Sequence, residues 1–101
     1  MGKITISEIL DDLRVAGEVL RKFERRYWIT SEQFYELYNQ GLLDNGEHDE
    51  DFSEWAGFCK LKERREEAFK RLSQMRLGRI KKTESNGVIS LEPQEIELDI
   101  A

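Results

Sequence analysis

The 101-residue sequence predicts a mainly α fold: a helical hairpin or three-helix unit with a long third helix and a small C-terminal β-hairpin and strand appendage. Three observations predict it. Ile9, Leu13, Ala16, Leu20, Phe23 and Tyr27 recur at steps of four and three, which draws one apolar stripe along a helix of roughly five turns. Thr30-Ser31-Glu32-Gln33 has the form of a capping box, so a second helix starts soon after the first ends. Beyond Gly78 the helical period gives way to short runs on either side of Ser85-Asn86-Gly87, and Asn-Gly is the strongest short hairpin signal.

Lys3-Ile4-Thr5-Ile6 alternates polar and apolar, as a short strand does. The first helix has two candidate caps: the Ser7 hydroxyl, or a capping box of Thr5 with Glu8. Leu10, Val15 and Val19 widen its apolar stripe toward a second neighbour. In the second helix Thr30 and Gln33 form the box, and Ile29 and Phe34 occupy the two hydrophobic-staple positions. Phe34, Leu37 and Tyr38 make its inner face, and Gly41 stops it as a residue free to take a positive φ. Leu42 and Leu43 are expected to pin the following loop to the core.

A third helix begins near Asp49–Asp51, where carboxylates favour the positive end of the helix dipole, and is expected to stop at Gly78. At 1.5 Å per residue it would be ~40 Å long. Phe52, Trp55, Ala56 and Cys59 pack its first part; Ala68, Phe69, Leu72 and Met75 pack its last. Between them KLKERREE offers only Leu61, so the middle is either solvated or covered by another chain. Glu95-Ile96-Glu97-Leu98-Asp99-Ile100 then alternates strictly, as a strand with one acidic face and one apolar face. Such a strand needs an edge to pair with, from the hairpin or from a different protein. The division follows the change of pattern: residues 1–78 helical, residues 79–101 an appendage or partner-binding tail.

Composition narrows the function class. Charged residues are 37% of the chain, and no run approaches the length of a membrane span. The single cysteine, Cys59, and an N-terminus without a signal peptide's long apolar core point to a cytoplasmic protein with no membrane partner. The net charge of −5 is segregated: residues 44–57 are strongly acidic, residues 58–82 strongly basic, and residues 83–101 carry acids and no bases. Two acidic blocks flanking a basic one imply internal compensation, or a basic partner that meets the acidic tail.

The candidate chemistry is sparse. DNGEHDED does not fit an EF-hand loop, because with Gly46 at the sixth position Phe52 falls at the twelfth, where a carboxylate belongs. His48 and Cys59 lack an orienting third group. No catalytic residue, metal site or cofactor is therefore expected. Arg76, Arg79, Lys81 and Lys82, with Arg64, Arg65, Lys70 and Arg71 upstream, are the residues that would meet nucleic-acid phosphates. The simpler reading is a solvated face paired with neighbouring acids. Tyr27, Trp28, Phe34, Tyr35, Tyr38, Phe52, Trp55 and Phe58 are mostly core, with Trp28 and Tyr35 the candidates for exposed partner anchors.

FERRYWITSEQF (residues 23–34), Gly41-Leu42-Leu43-Asp44 and Asp51-Phe52-Ser53-Glu54-Trp55-Ala56 together resemble a family of small prokaryotic proteins similar to the antitoxin halves of two-gene toxin–antitoxin modules. The chain departs from that pattern in having Trp28 where a glycine is common and in its long acidic loop. The resemblance implies a cytoplasmic protein that binds and masks a separately encoded, basic toxin. The C-terminal strand lies outside the resemblance; its alternation and lack of positive charge make Glu95, Ile96, Glu97, Leu98, Asp99 and Ile100 the residues expected to meet the partner, with Trp28 and Tyr35 as exposed anchors. DNA binding at its own promoter through residues 60–82, and an oligomeric adaptor built on self-pairing of the long helix, are the alternatives.

Overall fold

Two capping boxes set where the helices begin. In the computed structural model, which describes residues 3–44, 46–93 and 97–99, it is Thr5 and not Ser7 that caps the first helix. The Thr5 hydroxyl accepts the Glu8 N–H at 3.0 Å, and the Thr5 N–H donates back to the Glu8 carboxylate at 3.4 Å. Strand β1 (Lys3–Thr5) thus runs straight into helix α1 (Ile6–Tyr27). Helix α2 (Ser31–Asn39) starts from the box at Thr30, where both reciprocal bonds measure 3.0 Å. Ile29 and Phe34, its staple pair, belong to one apolar cluster. Gly41, at φ +70°, ends α2, and the Leu42 N–H reaches back to the Leu37 carbonyl at 3.1 Å, as in a Schellman turn.

Helix α3 (Asp49–Lys81) is antiparallel to α1, and α2 lies against both. Cross-helix pairs give a constant register: Tyr27 with Asp51, Lys22 with Glu54, Asp12 with Arg65. Each step back along α1 is matched by a similar step forward along α3. The apolar stripe of α1 faces inward as its spacing requires, with Ile9, Ala16, Leu20 and Phe23 buried. The core forms two clusters. Leu20, Phe23, Phe34, Trp55, Ala56 and Cys59 make the larger one at the α2 end. Ile9, Ala68 and Leu72 make the smaller one near β1. In the larger cluster Trp55 stacks on Phe34 with ring centroids 3.9 Å apart and planes 1° from parallel, and on Phe23 at 5.4 Å. Burial of each such ring contributes about 1.5–3 kcal/mol.

Several expectations are corrected. Helix α3 does not stop at Gly78 but continues to Lys81, 33 residues in all, because a helical glycine costs only about 1 kcal/mol and apolar Ile80 gains burial two residues further on. Its length is therefore ~50 Å, and the molecule measures 62 × 30 × 22 Å. Leu42 is no anchor: it is 65% exposed, and Leu43 alone packs against the core. Tyr38 and Met75 are likewise exposed. Asn86 and Gly87 do form a two-residue turn, with φ of 55° and 78° as a type I′ turn needs. Among the described residues its ladder is the single Ser85–Val88 bridge, so the expected hairpin shrinks to a turn.

The chain after α3 folds back along that helix. Arg76 Nη2 donates to the Glu92 carbonyl at 2.6 Å, and Ser90 N–H donates to the Thr83 hydroxyl at 2.9 Å. This return leads to strand β2 (Glu97–Asp99), which pairs antiparallel with β1 in the register Lys3–Asp99, Ile4–Leu98, Thr5–Glu97. The partner edge for the acidic strand comes from the N-terminal strand, not from the hairpin.

Candidate functional site

The junction of the three helices is held by a buried polar network centred on Ser31, the first residue of α2. Its hydroxyl donates to Glu24 Oε2 at 2.8 Å and its N–H donates to the same oxygen at 3.0 Å. Trp55 Nε1–H donates to the Ser31 hydroxyl at 2.9 Å, so one oxygen links α1, α2 and α3. Cys59 offers its thiol to the Ser31 carbonyl at 3.8 Å. Among the described residues no buried side-chain polar atom is left without a partner. Beside this network Tyr27 donates its phenol to Asp51 at 2.6 Å, and Arg26 meets the same carboxylate at 3.3 Å. Partial burial and then the Asp51 carboxylate raise the Tyr27 phenol above its usual pKa. The arrangement is architectural: every polar group in it is occupied by another.

Beyond Ser31 the surface opens into a groove of about 240 Å³ between α1, α2 and α3. Buried Leu20 and Cys59 with half-buried Tyr35 form its floor, and exposed Glu32, Glu63 and Glu66 stand on its rim. Lys62 also borders it and lies 3.9 Å from Glu66, which leaves the rim acidic. Burial, with the charge of Glu63, pushes the Cys59 thiol up to about 11, so it stays protonated and unreactive at neutral pH. The Cys59, Glu63, Glu66 spacing of four and three puts all three on one face of α3. That spacing is the sequence signal for the groove, but it marks only one wall, since the other comes from α2.

Among the described residues Trp28 is the most exposed of the large apolar side chains, at 86%. It caps α1 in the left-handed region (φ 62°, ψ 32°), its N–H donating to the Glu24 carbonyl at 2.8 Å. Tyr35, the other expected anchor, is half-buried, packing on the core and lining the groove. Arg21 and Arg25 lie at steps of four and three before Trp28 and are exposed, with no carboxylate within 4.0 Å among the described residues. Arg14, Lys22 and Arg26 on the same helix instead meet Glu18, Glu54 and Asp51.

Of the expected acidic strand, the backbone of Glu97, Leu98 and Asp99 is in β2, while Glu95, Ile96 and Ile100 lie outside the described residues. The structure does not gather the strand with Trp28 and Tyr35. It pairs with β1, beside the smaller core cluster at the other end of the α1–α3 hairpin. Arg79, Lys81 and Lys82 are exposed around the C-terminus of α3, while Arg76 is half-buried on the Glu92 carbonyl. Arg65 is turned to Asp12 at 2.7 Å, which removes it from the expected basic face. Among the described residues no three His, Cys, Asp or Glu side chains gather as metal ligands, and no helix is long and apolar enough to cross a membrane. No family model, curated protein or solved structure matches the chain.

Proposed function

We propose that this chain is a non-catalytic, antitoxin-like protein that acts in the cytoplasm by binding and neutralising a separately encoded, basic toxin. The observation that carries the reading is the state of β2. Three residue pairs hold it to β1 in a two-stranded sheet, and among the described residues its other edge has no partner. A two-stranded ribbon this short is marginal by itself, and an open strand edge accepts another strand through main-chain hydrogen bonds. The segment supplies Glu95, Glu97 and Asp99 and no base, so it favours a cationic partner. The resemblance of residues 23–56 to antitoxins supports the same class.

The test is co-purification of the full chain with the product of the neighbouring gene, repeated after deletion of residues 93–101 and with Glu97→Lys and Asp99→Lys together. Tight binding by the full chain and its loss in both variants are expected. Unchanged affinity after the deletion removes strand addition from the mechanism.

A second reading, nucleic-acid binding, has one observation in its favour. From Ala68 to Lys82 the chain carries six basic residues and no acid, most of them exposed. A gel shift with the upstream DNA across salt concentrations separates the two, because phosphate contacts weaken steeply as salt rises.

A further inference from the structure

We propose that the chain forms a twofold homodimer in which Trp28 of each copy enters the acid-rimmed groove of the other.

The first argument is that Trp28 is badly placed for its own fold. The left-handed conformation that ends α1 suits glycine, and for a bulky residue it carries a steric cost. Burial does not offset that cost, since the ring is 86% exposed. Strained backbone clusters at functional sites, and tryptophan is enriched among the side chains that anchor interfaces. An indole is suited to that use, with a large apolar body and one N–H to direct it.

The second argument is that the same molecule carries a receptor of matching chemistry. The groove floor of Leu20, Cys59 and Tyr35 offers apolar and aromatic surface for a ring, and its volume of about 240 Å³ suits one large side chain. Glu32, Glu63 and Glu66 on the rim supply carboxylates for an indole N–H and for cations beside it. Those cations accompany Trp28: Arg21 and Arg25 are exposed on the last two turns of α1 before it and meet no carboxylate within 4.0 Å among the described residues. An aromatic flanked by arginines thus faces, on a second copy, an apolar groove flanked by glutamates.

The third argument is topological. Trp28 is three residues from Ser31 and four from Glu32, so anchor and receptor adjoin at the α1–α2 junction. One twofold axis through that junction makes both insertions at once, an isologous contact that closes and cannot propagate into fibres. Trp28 does not occupy the groove of its own chain, as its exposure shows. The dimer requires no toxin, so its failure and that of the neutralisation reading are separate results.

Sedimentation velocity of the full chain over a concentration series tests this, together with acrylamide quenching of tryptophan fluorescence. Trp55 is fully buried, so quenching reports Trp28. The expected result is a dimer whose formation protects the quenchable fluorescence. Trp28→Gly should be monomeric yet fold with at least wild-type melting temperature. Arg25→Glu should weaken the dimer about tenfold, and adding Glu32→Arg should restore it. A monomer into the millimolar range overturns the proposal. So does a dimer indifferent to Trp28→Gly, as self-pairing through α3 would give.

Discussion

Ser31 shows how much one hydroxyl can hold. It donates to Glu24 on α1, accepts from Trp55 on α3, and opens α2 with its own backbone. Replacing it with alanine keeps the helix start, because the cap is Thr30, but strips Trp55 Nε1–H and the Glu24 carboxylate of a partner. A buried donor left unpaired costs about 1–3 kcal/mol. Ser31→Ala should therefore lose about that much in urea unfolding, with an unchanged slope. A loss under about 0.5 kcal/mol, the size of an ordinary surface substitution, would show that water replaces the hydroxyl. The role was not legible beforehand. Thr30 and Gln33 reveal themselves by spacing within one turn, whereas Ser31 depends on Trp55, 24 residues later, and on the register of α1 against α3.

At the scale of elements, α3 is where local signals and tertiary structure part company. The acids at Asp49–Asp51 mark its start correctly, and Trp55, Cys59, Ala68 and Leu72 are buried as their spacing predicts. The glycine that ends α2 and the glycine expected to end α3 look alike in sequence. Gly41 takes φ +70° and stops its helix; Gly78 stays helical, because buried Ile80 and the returning chain at Arg76 and Glu92 hold the next turn. A Cβ at Gly78 meets nothing within 4 Å. Gly78→Ala should then stabilise the protein by about 0.5–1 kcal/mol, read as a higher melting temperature with unchanged ellipticity. Destabilisation would mean that the last turn of α3 is not regularly helical in solution. The strands were the least legible part. Alternation identified β2, but its partner is more than ninety positions away in β1, and no local pattern encodes that pairing.

For the molecule as a whole, the long axis of 62 Å separates two unequal cores on one helical hairpin. The larger core has three fully buried rings, Phe23, Phe34 and Trp55; the smaller rests on Ile9, Ala68 and Leu72. Charged Asp12 and Arg65 bridge α1 and α3 between them at 2.7 Å. Stability should be graded along the axis. In hydrogen exchange, the amides of Phe23, Trp55 and Cys59 should open only with global unfolding, and those of residues 80–90 well before it. Uniform protection would instead make the hairpin one cooperative unit. The mainly α architecture, the caps and most of the core were legible because helices are written locally. The groove was not, since its walls meet only after three helices pack.

The β1–β2 ladder has a consequence for chain order. With Lys3 beside Asp99, the segment between them is nearly a ring, and a ring can be cut elsewhere. Joining the two strands directly and opening the chain at exposed Gly46–His48 would give a circular permutant that begins at α3 and ends after α2. It would keep every helix and both cores. The most distant pairing in the present chain would become a hairpin, its most local one, so the permutant should gain folding speed from lower contact order without any new contact.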